Sequence, residues 1–324
     1  MSGSFVQRGE FAVYDKFSRA RTAVENGADL VIELPCVCSL LSAEGFANAG
    51  VKLLESTGVV NQIAFGAECD DIGELKRIAE TIKKCDREIK EELKKGVSYP
   101  VARKNAVKSN LLDTPNNILA IEYLKSASVP CKAIKRIGKG HDSDDCSYSA
   151  SEIRKHLDKN EICSLERCEL AVLAKLRTMT AEDFLMIDDV SEGLENRICS
   201  AVKSASTLEE LYSTIKTKRY THSRIRRIIL RAYLGITSDY PKTAPYIRIL
   251  SFNEKGRKIL TEMKKTASLP IISRYRDINR LDEAGKRLFE LECRCTDLYN
   301  LGYAVPRPCG TEQKRTVETV RKQP

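Results

Sequence analysis

Three short apolar stretches, each set off from the next by amphipathic helical sequence, constrain the first half of this chain more than any other feature. They are DLVIELP (29–35), VVNQIAFG (59–66) and CKAIKRIGKG (131–140). DKFSRARTAVENG (15–27) puts Ala20, Ala23 and Val24 on one helical face, with Gly27 as a C-terminal stop, and AEGFANAGVKLLESTG (43–58) is helical again. ELKRIAETIKKCDREIKEELKKG (74–96) reads as one long charged helix, TPNNILAIEYLKSA (114–127) as another, and SASEIRKHL (149–157) opens one more. Apolar strands alternating with such helices imply βαβ units and a mostly parallel sheet covered on both faces.

That pattern is Rossmann-like α/β, and it changes after about residue 160. SLERCELAVLAKLRTM, ENRICSAVKSASTLEELYSTIKT and SRIRRIILRAYLG are helical, so a second, mainly α-helical domain is expected, dividing the chain into 1–165 and 166–324. The tail after Val305, with Pro306 and Pro308 ahead of a polar run, reads as frayed. With 324 residues and 42% hydrophobic content, two cores are affordable. No apolar run approaches the roughly 20 residues of a membrane helix, and Met1 is not followed by a signal-peptide pattern, so the cytoplasm is the expected compartment. Twelve cysteines are scattered without a secretory signal, which favours free thiols. Cys36/Cys38 and Cys293/Cys295 are C-x-C pairs with no histidine nearby, so no metal site is expected.

Ligands of open parallel sheets sit outside the carboxyl ends of the strands. There, IAFGAE places Gly66, which either lets a nucleotide approach the backbone or is a plain turn glycine. IKRIGKGHD places Arg136, Gly138, Gly140, His141 and Asp142 in a turn that suits phosphate or is a solvated surface turn. SASEIR sets Ser149, Ser151 and Arg154 around a helix N-terminus that favours an anion, while Ser149 and Glu152 also have capping-box spacing. The chain has no G-x-x-x-x-G-K-[ST], G-x-G-x-x-G or G-x-S-x-G string, which argues against a P-loop NTPase, a dinucleotide dehydrogenase and an α/β-hydrolase. Phosphate handling by glycine, arginine and a serine-capped helix points to nucleotidyl transfer.

The net charge is +9, and its distribution says more than its sum. KTKRYTHSRIRRIILRAYLG (216–235) carries Lys216, Lys218, Arg219, Arg224, Arg226, Arg227 and Arg231 with no acidic residue. Arg224, Arg227 and Arg231 share a helical face at i, i+3 and i+7, with Ile225, Ile228 and Ile229 packing inward. Flanked by Tyr220 and His222, the stripe suits an RNA backbone, or else it is a solvated basic face.

In these strings the chain resembles the tRNA(Met) cytidine acetate ligases, bacterial relatives of the nucleotidyltransferases. The matching residues are MSGSFVQRGE, DLVIELP, IAFGAE, TPNNILAIEYLK, IKRIG, SASEIR, KTKRYTHSRIRR, IRILSFNEKGR and TDLYNLGY, in the family's order from Met1 to about Tyr303. The resemblance implies that acetate and ATP form acetyl-adenylate with release of pyrophosphate. The wobble cytidine of elongator tRNA(Met) then takes the acetyl group, giving N4-acetylcytidine. It places ATP contacts on Gly66, on Asn116 or Asn117 with Asn117 preferred, and on Arg136, with Ser151 and Arg154 at the helix start. ATP is a substrate and Mg²⁺ is expected with it. Lys218, Arg219, Arg224, Arg227 and Arg231 would hold tRNA; neither a membrane nor DNA is an expected partner.

Members of the resembled family begin with a strand, an Asn-Pro-Phe-His-x-Gly-His loop, a helix and a second strand, and MSGSFVQRGE corresponds to the end of that second strand. Met1 is therefore expected to be an internal methionine, with the first strands and the phosphate-binding histidines absent; His141, His156 and His222 do not supply that spacing. Leaving out a central strand would expose sheet edges. Gln7, Arg8, Lys16 and Arg19 lie where they could face a nucleotide. Two other functions fit the residues: a tRNA-binding protein without catalysis, and an adenylyltransferase for a small metabolite.

Overall fold

The computed structural model describes residues 1–136, 154, 156–191 and 193–320. It forms two compact units, one of Met1–Val60 with Cys163–Pro324 and one of Asn61–Ile162. This departs from the expected division at 165. The smaller unit is inserted into the larger, and residues after 162 return to the core begun by the first 60. Cys163 donates its N–H to Val13 O, and Tyr299 donates its hydroxyl to Ala12 O.

In the larger unit, β1 (Phe5–Val6) and β2 (Glu10–Phe11) form a small antiparallel hairpin. The main sheet is built on β6 (Ile247–Phe252), which pairs with β3 (Leu30–Glu33), β7 (Ile271–Ile272) and β8 (Glu318–Thr319). The β6–β7 and β6–β8 pairs are parallel. The β3–β6 pair is the antiparallel one in an otherwise parallel sheet, in keeping with a mostly parallel expectation, with a register shift between Val31 and Ile32. The mainly helical second half thus supplies the strand at the heart of this sheet.

Asp15 caps the helix Lys16–Glu25 through the N–H groups of Phe17 and Ser18, and Phe17, Ala20 and Val24 pack on Val31 and Leu250. Full burial of such side chains contributes about 1.5–3 kcal/mol each. The larger core gathers Phe5, Phe11 and Tyr299, whose ring centroids lie 5.1–6.0 Å apart. Around it pack the helices Glu169–Arg177, Leu194–Ser204, Leu208–Ile215, His222–Leu234 and Glu283–Tyr299. The tail is not frayed: Glu312 is fully buried against Lys16, Arg248 and Thr296, and β8 follows it into the sheet.

In the smaller unit β4 (Ile63–Ala67) and β5 (Cys131–Lys135) pair in parallel, Gly66 opposite Ile134. The stretch expected as one charged helix is two, Ile72–Lys84 and Asp86–Lys94, broken at Cys85. Buried Ile82 and Ile89 stand seven residues apart, so the apolar period runs through the break and hides it. Tyr99–Val107 and Pro115–Ser126 complete the unit, joined by the buried Arg103–Glu122 ion pair. No helix among the described residues is long and apolar enough to cross a membrane.

Candidate functional site

At the carboxyl end of β4, Gly66 is exposed and its backbone is ordinary for any residue. A Cβ built there would meet only Arg136 Cγ, at 3.6 Å. Neither a turn nor crowding within the protein requires glycine there, and its open face leaves room against the backbone at the strand end. Arg136 extends the ladder by one bond, its N–H donating to Ala67 O at 3.0 Å, and its guanidinium is exposed beside Gly66.

The next residues secure the neighbouring helix start. Glu68 Oε2 accepts the N–H of Asn117 at 2.8 Å, and its other oxygen accepts the Asn116 amide. Asn117 Oδ1 in turn accepts the N–H of Cys69 at 2.9 Å, and Asn117 is buried. Thr114, at the N-cap of Pro115–Ser126, makes no side-chain cap bond, so Glu68 supplies the negative charge that the helix end favours. Partial burial alone would raise the Glu68 carboxyl, but the Asn116 amide and the backbone N–H groups of Glu68 and Asn117 outweigh it and hold it below the ordinary glutamate range. Gly66, Asn116, Asn117 and Arg136 are therefore brought to the same ends of two parallel strands, where this sheet class holds ligands. Glu68 was not singled out from the sequence; its place in IAFGAE, directly after the strand, was the available signal.

Ser151 lies outside the described residues, as do Gly138, Gly140, His141, Asp142, Ser149 and Glu152. Arg154 is helical and exposed. Lys16 does not face solvent, being buried between Glu33 and Glu312 at 2.6 Å from each. Arg19 grips the carbonyls of Tyr14, Ser2 and Gly3, while Arg8 is exposed and Gln7 half-buried in the first hairpin.

The basic helix differs from its expectation. Thr221 caps His222–Leu234 and Gly235 ends it in the left-handed region, as the sequence indicates, yet nearly every residue from Ile225 to Leu234 is buried. Arg231 is 2% exposed, with Nη2 on Asp188 at 2.6 Å and Nη1 donating to Val37 O. Arg227 is 7% exposed and faces Asp189, whose carbonyl accepts Nε and Nη2 of Arg224. Asp189 has φ +68°, a costly conformation for a non-glycine residue, and it turns carboxylate and carbonyl toward two arginines. Arg226 pairs with Glu10 at 2.7 Å. The segment contains no acid, but the fold brings acids to it, so Arg227 and Arg231 are structural cations. Lys218 is exposed and Arg219 half-exposed.

Among the described residues no group of three His, Cys, Asp or Glu converges as a metal site, and every cysteine is a free thiol.

The parallel α/β unit and its family match place the chain in the nucleotidyltransferase class. The family model described as HIGH Nucleotidyl Transferase matches residues 1–173 and 158–314. A tRNA(Met) cytidine acetate ligase of Acetivibrio thermocellus is 36% identical over 374 positions, covering 96% of this chain and 89% of the relative. One from Thermoanaerobacter sp. is 38% identical over 351, covering 94% and 87%. The crystal structure of Thermotoga maritima TmcAL bound with alpha-thio ATP superposes with a TM-score of 0.88 at 31% identity, covering 99% of this chain and 91% of that one. The apo form of the same protein gives 0.88 at 30% identity, with the same coverage. The chain belongs to the tRNA(Met) cytidine acetate ligase family.

Proposed function

We propose that this chain acts in ATP-dependent ligation of acetate to the wobble cytidine of elongator tRNA(Met), with ATP held at the carboxyl ends of β4 and β5. The observation that carries the reading is the open face of Gly66 beside the exposed Arg136 guanidinium, next to the asparagine pair fixed by Glu68. A planar guanidinium grips two phosphate oxygens at once. Gly66 admits the nucleotide against the backbone, and Asn117, with Asn116 beside it, orients it.

In the reaction, an acetate oxygen attacks the α-phosphorus and the bond to pyrophosphate breaks. The cytidine N4 amine then attacks the acetyl carbon, AMP leaves, and the amine loses a proton. Arg136 offsets negative charge on the phosphates in the first step, and the fixed asparagines reduce the ordering cost of binding. Ser151 and Arg154 remain candidates for the same anion. On the RNA side, Lys218, Arg219 and Arg224 stay in the proposal, while Arg227 and Arg231 act through the fold.

Titration of ATP into Gly66→Val and Arg136→Ala tests the site. Each variant should fold normally, because Gly66 is open and Arg136 exposed, and each should weaken ATP binding by about tenfold or more. Arg136→Lys should recover only part of the loss, since an ammonium cannot make the paired contact. Undiminished ATP affinity in both would sink the proposed site. ATP-dependent incorporation of labelled acetate into a tRNA(Met) transcript tests the reaction itself.

A further inference from the structure

With Arg227 and Arg231 committed to the interior, Lys218, Arg219 and Arg224 remain from the basic segment, and a second cationic surface stands elsewhere in the unit. It lies between the end of helix Glu254–Thr266 and the short helix Tyr275–Arg280, a concavity of about 500 Å³. Its lining includes four cations, Lys264, Arg274, Arg276 and Arg280, and one carboxylate, Asp277. We propose that this concavity is a phosphodiester-binding site for the tRNA substrate; the inference rests on the tRNA reading above and names a surface for it.

Local geometry explains why the cations are available. Asp277 is buried and directs one oxygen back at its own turn, accepting the N–H of Ser273 at 2.9 Å, the Ser273 hydroxyl at 3.2 Å and the N–H of Arg274 at 3.0 Å. That capping sets the turn that carries Arg274, Arg276 and Arg280 and leaves the carboxylate occupied. The three arginines and Lys264 are exposed, and none makes an ion pair among the described residues. Other arginines of the same unit do: Arg226 with Glu10, Arg287 with Asp239, Arg315 with Glu318. Four neighbouring cations around a single carboxylate, Asp277, leave an excess of positive charge, and a polyanion relieves their repulsion while releasing its own counterions.

The chemistry favours an RNA strand over a free nucleotide. The cations stand on two elements around an open hollow. Tyr275, between two of the arginines, keeps 38% of its surface exposed while its ring leans on Phe289 at 6.0 Å. Tyr275 stands outside the lining of the hollow, so the cations carry the site.

Binding of elongator tRNA(Met) transcript is measured across about 50–200 mM salt, where phosphate contacts appear as the slope of affinity against salt. The triple variant Arg274→Ala/Arg276→Ala/Arg280→Ala should bind about tenfold or more weakly, with a slope shallower by about 2 to 3, and should keep its ATP affinity. A control that removes three exposed lysines elsewhere in the unit, Lys52→Ala/Lys175→Ala/Lys203→Ala, should keep the parental slope. Equal weakening in the triple variant and the control would mean diffuse attraction and overturn the site. A triple variant with parental affinity and slope would overturn it while leaving the tRNA reading intact; a parent chain that binds no tRNA would overturn both. Inorganic pyrophosphate is the second probe. If the triple variant loses pyrophosphate binding but not tRNA binding, the concavity is a small-anion site and the proposal fails.

Discussion

Glu68 shows how a single side chain links the two halves of the proposed nucleotide site. Its two oxygens hold Asn116 and the N–H of Asn117, so the asparagines inherit their position from a residue on the other side of the loop. Its carboxyl lies below the ordinary glutamate range, so its contribution is fully present above the unfolded value of 4.5 and is lost as pH falls through the folded one. Glu68→Gln keeps an acceptor but loses the charge at the helix start. It should weaken ATP binding by about tenfold at neutral pH and remove the acid-side loss of affinity that the parent shows. An unchanged pH profile would make Glu68 a passive cap.

At the scale of elements, the helix His222–Leu234 shows the limit of charge patterning. Its cations sit at helical spacing with no acid within the segment, but Asp188, Asp189 and Glu10 reach it from elsewhere in the chain. Removing one partner of a buried pair strands the other, at about 3–5 kcal/mol. Arg231→Ala should therefore lower stability by about that amount in denaturant unfolding, and the folded fraction should bind tRNA with an unaltered salt slope. A shallower slope at parental stability would restore Arg231 to the RNA surface. Strand β6 is the matching case among strands. Arg248 and Ser251 interrupt the apolar run of IRILSF, yet both are buried: Arg248 pairs with Glu33 and Glu312, and the Ser251 hydroxyl donates to Glu318 O. A partner remote in sequence makes a charged residue acceptable in a central strand, and no local pattern reveals it.

Across the larger unit, one buried cluster joins the beginning of the chain to its end. Lys16 and Arg248 stand against Glu33 and Glu312, and Glu292 accepts the N–H of Cys36 at 2.5 Å. Burial would raise the Glu312 carboxyl, but Lys16 and Arg248 hold it down at about 2, whereas burial and then the charge of Glu33 push Glu292 up to about 7. Two cations thus balance two carboxylates, while the third is held protonated to higher pH than an ordinary glutamate. A carboxyl whose folded value is raised favours the folded state less as pH climbs from 4.5 to about 7, with no further loss above that. Glu292→Gln keeps the acceptor for Cys36, so it should flatten that decline and raise the melting temperature by several degrees at pH 8. A parent and variant with parallel stability curves would mean that Glu292 is already charged.

The sequence alone determined the features that depend on neighbours along the chain: the α/β alternation, the helix within residues 15–27, and Gly66 and Arg136 at the ends of their strands. These follow from local periodicity and turn chemistry, whose partners lie within a few residues. Tertiary structure decided what depends on remote charge and pairing. It set β3 antiparallel to β6, returned the chain after residue 162 to the core of its first 60 residues, and buried the tail through Glu312. It also turned the basic helix inward and left Lys264, Arg274, Arg276 and Arg280 exposed at the surface, with no ion pair among the described residues. A charge can be counted in a sequence, but whether water or a distant carboxylate answers it is settled only when the chain has folded.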